Sequence, residues 1–272
     1  MIRSNNWVFT LGCIMFVLVI LAAAFGPMLL TYDPNRTNLN ERRVAPLSPG
    51  HLLGTDALGR DLFTRLIYGA RISLLMCSTG VLLGMIFGVG IGLLAGFMGG
   101  WVDNVLMRIV DVQLAFPFIL LALTIVTAIP PSVATLIFLL VLASWVLFAR
   151  TVRGSALKEI NREYVQAATV LGASRWRIAI KYVLPNLIPT IAVIASLELA
   201  ALIMFEATLS FLGVGIQPPT PSWGGMMLEG QVYMRTAWWI TTLPGVAIFI
   251  ATLSLNLVSE GLRDILDPRL QR

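Results

Sequence analysis

Residues 163–172 read EYVQAATVLG and residues 182–185 read YVLP, which makes a polar interval between apolar runs. The interval is too polar to span a bilayer and too regular to be a linker. Its alanines and Leu171 predict a short helix with a face of small residues. Gly172 is expected to end this helix, because glycine accepts the left-handed conformation of a C-terminal cap. The basic amphipathic segment 175–181 suits a membrane interface.

The composition indicates an integral membrane protein. Hydrophobic residues make up 57% of the 272 positions and charged residues only 12%, with a mean hydropathy of +0.85. Soluble domains carry about 25% charged residues. The apolar residues also occur in long runs, and a run of about 20 residues crosses the hydrocarbon core of a bilayer.

Six apolar runs predict six membrane-spanning helices and an all-α fold. The first run follows Arg3 and is longer than the roughly 7–15 residues of a signal-peptide core, so we interpret it as a retained span. Pro130 and Pro131 predict a tight connection between the third and fourth runs. The predicted spans are Trp7–Leu30, Ile72–Phe97, Val105–Ile129, Val133–Ala149, Ile188–Leu212 and Trp239–Leu262.

The distribution of basic residues predicts the orientation of the chain. An even number of spans puts both termini on one side of the membrane. Cytoplasmic loops carry an excess of Lys and Arg. The segment 31–71 is an exception with several arginines, but the balance predicts both termini in the cytoplasm. The basic residues of that side are Arg150, Arg153, Lys158, Arg162, Arg175, Arg177, Lys181, Arg263, Arg269 and Arg272.

Several functional classes are disfavoured by the sequence. We attribute the net charge of +5 to cytoplasmic loops rather than to nucleic-acid binding. Cys13, Cys77 and His51 have no metal-ligand or disulfide spacing. The only lysines are Lys158 and Lys181, and no Gly-x4-Gly-Lys-Ser/Thr motif occurs, so we expect no nucleotide site in this chain. No pairing of a nucleophile with a base is evident, so we expect neither enzymatic activity nor a cofactor.

Glycines recur at every fourth position of the second predicted span, at residues 80, 84, 88, 92, 96 and 100. Small residues at this spacing let another helix backbone approach closely. Each step of four residues advances about 400° around the helix, so the ridge winds slowly and favours a partner that crosses it. We therefore predict helix packing at Gly84, Gly88, Gly92 and Gly96.

Two acidic residues, Glu198 and Glu206, lie within the fifth predicted span and on roughly one face of it. Charges inside a membrane usually face the interior of a bundle or an aqueous cavity. One interpretation is that both carboxylates line a translocation path, where they could meet the amino terminus of a peptide or another cation. The other is that they make buried structural hydrogen bonds. An ion-coupled secondary transporter is a less favoured alternative, because no repeated pair of broken helices is evident.

The polar interval resembles the EAA loop of ABC-importer permeases. The resemblance rests on Gln166, Ala167 and Ala168, on Gly172, and on Leu184 and Pro185, and it implies a coupling helix that docks on a separate ATPase subunit. Gln166 replaces the usual acid of the motif and Tyr182 replaces the usual isoleucine. Glu163 lies one turn earlier and could supply a charge from nearly the same helix face. The alternative for this interval is an interfacial helix held by anionic lipid headgroups.

Three further stretches resemble one branch of that family, the dipeptide, oligopeptide and nickel permeases, and specifically the second of their two paired permeases. They read HLLGTDALGRD at 51–61, LSFLGVGIQPPTPSWG at 209–224 and LVSEGLRDILDPR at 257–269. The resemblance implies the type I ABC-importer fold in a bacterial inner membrane. It also implies a partner permease, two cytoplasmic ATPases that bind ATP and Mg, and an external solute-binding protein. Its substrates would be di- or oligopeptides, with glutathione or nickel as alternatives.

The same resemblance suggests a domain division and an external site. We expect an N-terminal anchor helix and external loop at 1–70, and a permease domain at 71–272 with a coupling loop at 150–187. The proline-rich segment 213–225 and the loop 51–61 suit a fixed external surface, and a plain membrane-surface loop with a Trp anchor is the alternative. The candidate residues for docking of a binding protein are Asp56, Arg60, Asp61, Pro218 and Trp223.

Overall fold

The computed structural model of the chain describes residues 6–30 and 32–266, and the regular structure there is helical apart from two isolated β-bridges. This confirms the predicted all-α fold. Five helices are long and apolar enough to cross a membrane, and a bent pair adds a sixth crossing if it counts as one span. Besides short 3-10 turns, the helices are α1 (Asn6–Leu29), α2 (Leu62–Met98), α3 (Gly100–Ala115), α4 (Phe118–Ala128), α5 (Val133–Ile160), α6 (Glu163–Val170), α7 (Arg175–Arg177), a π-helical turn (Ile178–Val183), α8 (Leu184–Phe211), α9 (Trp223–Gly230) and α10 (Trp239–Leu266).

Helices α2 and α5 run side by side in the same direction, joined along the glycine series of α2. A Cβ atom at Gly84 would lie 1.8 Å from Ser144 Oγ, and one at Gly88 would lie 2.4 Å from the carbonyl oxygen of Trp145. Only glycine leaves room for this approach of the two backbones. Successive glycines meet successive turns of α5: Gly80 lies against Leu140, Gly84 against Ser144, Gly88 against Phe148, Gly92 against Val152 and Gly96 against Ala156.

The expectation that this ridge favours a crossing partner is wrong. The contact between α2 and α5 continues from Gly80 to Gly96, which is about 24 Å of helix. A four-residue period is longer than the 3.6 residues of a helical turn. Contact over this length therefore requires the two helices to wind about each other rather than to cross at one point.

The predicted third span, Val105–Ile129, is not one straight helix. α3 and α4 meet at an angle of 88°. Pro117 has no N–H with which to continue the hydrogen bonds of α3, and Phe116 before it is extended, with φ −99° and ψ 136°. Because α2 and α5 run in the same direction, the chain between them has to return across the membrane. We therefore count α3 and α4 together as one broken span.

Two spans extend well beyond their predicted ends. α2 begins at Leu62 rather than at Ile72, and α5 continues to Ile160 rather than ending at Ala149. Hydropathy ends a span at the first charged residues, but two of the arginines on these extra turns, Arg65 and Arg153, pair with carboxylates of neighbouring segments. The predicted boundary between the ranges 1–70 and 71–272 consequently falls inside α2.

The two ends of the described chain lie on the same side as α6. α1 packs antiparallel on α10, because a Cβ at Gly12 would meet Leu257 and one at Gly261 would meet Phe9. Ser259, near the end of α10, donates a hydrogen bond to a carbonyl in the first half of α8. The crossings therefore alternate, and loops 32–61 and 212–238 lie on the side opposite α6. Residues 267–269 of the third signature, together with Arg3 and Arg272, lie outside the described residues.

Candidate functional site

The short helix α6 is held to the rest of the chain by two buried side chains. Val165 and Ala168 are 3% and 8% exposed and belong to the hydrophobic core. Glu163, Gln166 and Ala167 are exposed. An eight-residue helix is too short to be stable alone, so its position depends on these contacts. Ala168 of the predicted coupling loop therefore packs against the chain, while Ala167 beside it is exposed.

Gly172 ends α6 with a left-handed backbone, as its place in the sequence predicts. Its φ is +81°. Its amide donates to the carbonyl of Thr169 and the amide of Ala173 donates to the carbonyl of Ala168, both at 3.0 Å. These are the two hydrogen bonds of a Schellman cap. An added Cβ would meet nothing within 4 Å, so backbone conformation rather than space selects glycine here.

The C-terminal end of α6 presents an apolar tip formed by Val170 and Leu171. Each is 87% exposed. An exposed apolar pair outside the spans is a candidate surface for a partner. The motif resemblance does not single out this pair, although two adjacent apolar residues within a polar interval are a usable signal. Gln166 is uncharged, and its side-chain Nε2 lies 3.4 Å from the carbonyl oxygen of Asn161.

A tyrosine of α6 joins the helix to both neighbouring spans. The Tyr164 hydroxyl donates to Glu159 Oε2 of α5 at 2.7 Å and accepts from Asn186 Nδ2 of α8 at 2.9 Å. Asn186 Nδ2 also donates to the carbonyl of Tyr182 at 2.8 Å. Burial and the hydrogen bond to Glu159 raise the pKa of the Tyr164 phenol above its ordinary 10.0, so the hydroxyl keeps its proton.

The chain enters α8 through the π-helical turn Ile178–Val183. The amide of Leu184 donates to the carbonyl of Ala179, five residues earlier. Leu184 is half-buried, and Pro185 is exposed directly after the π-helical turn, in the first turn of α8. Single π-turns are rare and often occur at functional sites.

The two acidic residues of α8 have different surroundings. Glu206 is 1% exposed. Its carboxylate accepts from Ser73 Oγ of α2 at 3.1 Å and from Ser210 Oγ, one turn later on α8, at 2.7 Å. This geometry corresponds to a buried structural hydrogen bond between two spans, rather than to a surface that lines a path.

Glu198 lies in the middle of α8 and is half-buried. It has no hydrogen bond or ion pair with any of the described residues. A carboxylate inside a span is unfavourable unless it faces a partner or an aqueous cavity. Of the two acids, Glu198 is therefore the one that fits a path-lining position.

On the side opposite α6, a buried ion cluster joins the loops 32–61 and 212–238. Arg60 Nε lies 2.5 Å from Asp56 Oδ2, and Arg60 Nη2 lies 2.5 Å from Glu229 Oε2. Arg65 Nη2 donates to the same Glu229 oxygen at 3.0 Å. The Arg65 side chain is 1% exposed. Sequence reasoning misses Glu229, which is more than 160 positions from its partners.

Asp61 supports the start of α2 and holds a histidine. Its Oδ2 accepts from the amide of Thr64, which caps the helix, and its Oδ1 lies 2.9 Å from His51 Nδ1. Glu41 Oε2 lies 3.3 Å from the other ring nitrogen. Burial lowers the pKa of His51, but the hydrogen bonds and charges of Asp61 and Glu41 outweigh it and raise the pKa from the ordinary 6.5.

These contacts correct the prediction of an external docking surface. The side chains of Asp56, Arg60, Asp61 and Trp223 are all buried. The Trp223 indole donates to the carbonyl of Leu66 at 3.1 Å, so it is neither a docking residue nor a membrane-surface anchor. Only Pro218 is exposed, and it borders a cavity of about 290 Å³ that is also lined by Leu58, Val232 and Tyr233.

Two family patterns match the chain. The family described as "Binding-protein-dependent transport system inner membrane component" matches residues 88–272. The pattern described as "N-terminal TM domain of oligopeptide transport permease C" matches residues 4–49. The first match includes α6, its Schellman cap and both acids of α8.

The relatives include permeases for peptides. The di/tripeptide transport system permease protein DppC of Pseudomonas aeruginosa is 39% identical over 96% of this chain and 88% of its own length. A putative peptide transport system permease protein of Brucella suis is 43% identical over 97% and 88%. The glutathione transport system permease protein GsiD of Pectobacterium atrosepticum is 41% identical over 94% and 86%.

A solved structure shares the fold. The chain resembles the MetNI methionine ABC transporter in its inward-facing conformations, with a TM-score of 0.61 and 19% sequence identity, over 75% of this chain and 96% of that one. At this identity the likeness concerns the fold alone. Together with the family match and the identity to the named permeases, it means that the chain is an integral membrane protein of the binding-protein-dependent transport family, with the fold of an ABC-importer permease.

Proposed function

We propose that this chain forms, with a second homologous permease, the translocation path of an ATP-driven importer of di- or oligopeptides. The peptide substrate is supported by the names of relatives that share about 40% of its residues. Glutathione is the second candidate, because a permease for that tripeptide is similarly close. Nickel stays an alternative from the sequence resemblance alone. Membership of the family favours this importer over the ion-coupled alternative.

The proposed orientation places α6 in the cytoplasm and the buried ion cluster outside. The α6 side carries the basic end of α5 and the segment 175–181, and an excess of Lys and Arg is typical of the cytoplasmic side. Both ends of the chain then lie in the bacterial cytoplasm. An external binding protein would deliver substrate on the opposite side, near Pro218 and its cavity.

The proposal that separate ATPases drive this permease rests on the exposed tip of α6. Val170 and Leu171 are almost fully exposed on a helix whose other side is buried, so a partner can cover them without disturbing the permease. In the proposed complex ATP and Mg bind to the ATPases and not to this chain. Closure of the ATPase pair would move α6, and α6 would move the spans.

The coupling role predicts that a charge at the tip of α6 releases the ATPases. We expect Leu171→Asp to reduce copurification of the ATPases about tenfold or more, because an exposed anchor of an interface loses its apolar contact. Membrane insertion should be unchanged, since Leu171 is 87% exposed in the chain. Gly172→Pro should act similarly by removing the Schellman cap.

The matched control is Val232→Asp, which places the same charge at a 75% exposed apolar residue on the opposite side. It should retain the ATPases. Equal retention by Leu171→Asp and Val232→Asp would show that α6 is not the coupling helix.

The path proposal for Glu198 predicts a loss of transport without a loss of assembly. We expect Glu198→Gln to lower uptake of a labelled dipeptide about tenfold, because the charge that meets a cationic amino terminus is removed. Glu260→Gln, which changes an exposed acid near the end of α10, is the control for uptake. Parental uptake by Glu198→Gln at normal complex yield would exclude a path role for this charge.

A further inference from the structure

The position of α6 depends on directional bonds as well as on packing. Its buried contacts with the core are those of Val165 and Ala168, and such small apolar contacts permit sliding and rotation. An open cleft of about 830 Å³ lies beside the helix and is lined by Glu159, Tyr164 and Asn186. Because the cleft leaves α6 free to move on this side, the hydrogen bonds of Tyr164 fix its orientation.

One hydroxyl group connects three elements that have to move together. Tyr164 Oη lies 2.7 Å from Glu159 Oε2 at the end of α5 and 2.9 Å from Asn186 Nδ2 at the start of α8. It acts as donor to the first and acceptor from the second, which uses both capacities of a phenol. No other side chain of α6 bonds to the side chains of both spans within the described residues.

The hydrogen bond from Tyr164 to α8 lies next to the π-helical turn that precedes this helix. Asn186 Nδ2 is shared between Tyr164 Oη and the carbonyl of Tyr182, which belongs to that turn. A displacement of α6 is therefore transmitted to the irregular turn before α8 and to the end of α5. Since α5 is packed along α2 through the glycine series, the displacement reaches the centre of the bundle.

We propose that Tyr164 is a positioning residue whose hydroxyl transmits movement of α6 to α5 and α8. The proposal rests on the coupling function of α6 proposed above and assigns a role to one atom within it. Without the hydroxyl, α6 moves with the ATPases but slides against the spans. ATP hydrolysis then continues while transport falls.

The test is Tyr164→Phe in the complete complex, reconstituted in vesicles with its ATPases, partner permease and binding protein. Both ATP hydrolysis and uptake of a labelled dipeptide are measured. We expect the number of ATP molecules hydrolysed per peptide imported to rise about threefold to tenfold, the effect of losing one or two hydrogen bonds. A ratio equal to that of the parental complex overturns the proposal.

Two further variants separate positioning from a general loss of stability. Glu159→Gln keeps an acceptor oxygen for the Tyr164 hydroxyl and should retain most of the parental ratio. Tyr182→Phe makes the same chemical change at a half-buried tyrosine whose hydroxyl bonds to none of the described residues, and should leave the ratio unchanged. A rise in the ratio for Tyr182→Phe equal to that for Tyr164→Phe would also overturn the proposal.

Hydrogen exchange tests the same role without any substrate. In Tyr164→Phe the amides of residues 163–170 should exchange about threefold to tenfold faster, while those of Tyr182→Phe keep the parental rate. Unchanged exchange in α6 contradicts the positioning role whatever the transported molecule is. Absence of dipeptide and glutathione uptake in the parental complex would instead contradict the proposed function, so the two failures can be told apart.

Discussion

Gly88→Ala should separate α2 from α5 and lower the free energy of unfolding by about 1–3 kcal/mol, and Gly88→Leu should prevent correct folding. A methyl group at this position would lie 2.4 Å from the carbonyl oxygen of Trp145 and 2.6 Å from Phe148 Cβ. The first neighbour is backbone and cannot rotate away, so one helix has to move. The check is the thermal unfolding of purified protein, together with its yield in the membrane.

Gly90→Ala is the matched control for this prediction. It lies two positions away on the same helix, and an added Cβ there would meet nothing within 4 Å. Alanine also has the higher helix propensity, so this change should be neutral or slightly stabilising. Similar unfolding temperatures for Gly88→Ala and Gly90→Ala would contradict the close contact of α2 with α5.

These two glycines also show which features of the helix packing can be predicted from the sequence alone. The four-residue spacing predicts that a helix backbone approaches α2, because spacing is a local property of one helix. It does not predict that α5 is the partner, that the two helices run in the same direction, or that the contact extends from Gly80 to Gly96. Those features depend on residues about 60 positions away, such as Ser144 and Phe148.

The broken span shows a limit of hydropathy. Averaging over a window makes residues 105–129 look like a single crossing, since most of the residues on both sides of Phe116 and Pro117 are apolar. The angle of 88° comes from one missing amide and one extended residue, which a mean value cannot register. A proline inside an apolar run permits such a break but does not dictate it, since Pro27, Pro189 and Pro244 lie inside α-helices of this chain.

The polar side chains are the least predictable part of the candidate site. Glu198 and Glu206 look equivalent in sequence, because both are acids on one face of an apolar helix. Ser73 distinguishes them by binding Glu206 from another span, and Ser210 at the next turn is the local signal for this. The signature at 51–61 identifies Asp56, Arg60 and Asp61, but their burial makes them structural residues rather than docking candidates.

The second large loss of stability is expected at the buried ion cluster of Asp56, Arg60, Arg65 and Glu229. Glu229→Ala should lower the free energy of unfolding by about 3 kcal/mol, toward the lower end of the range for buried pairs because its side chain is 26% exposed. The change leaves Arg60 and Arg65 buried with Asp56 as their remaining partner in this cluster. Nε and Nη1 of Arg65 already have no hydrogen-bond partner within the described residues, so loss of Glu229 removes the hydrogen bond of Nη2 and leaves the ion pair of Nε with Asp56 at 3.6 Å.

The control for Glu229→Ala is Asp111→Ala, which breaks the ion pair between α3 and Arg150 of α5. Both side chains of that pair are about half exposed, at 49% and 51%, and exposed pairs contribute only about 0–1 kcal/mol. Thermal unfolding should therefore distinguish the two variants by several degrees, and Glu229→Gln, which keeps one acceptor oxygen, should lie between them. If Glu229→Ala unfolds at the same temperature as Asp111→Ala, the cluster does not hold the loops 32–61 and 212–238 to the spans.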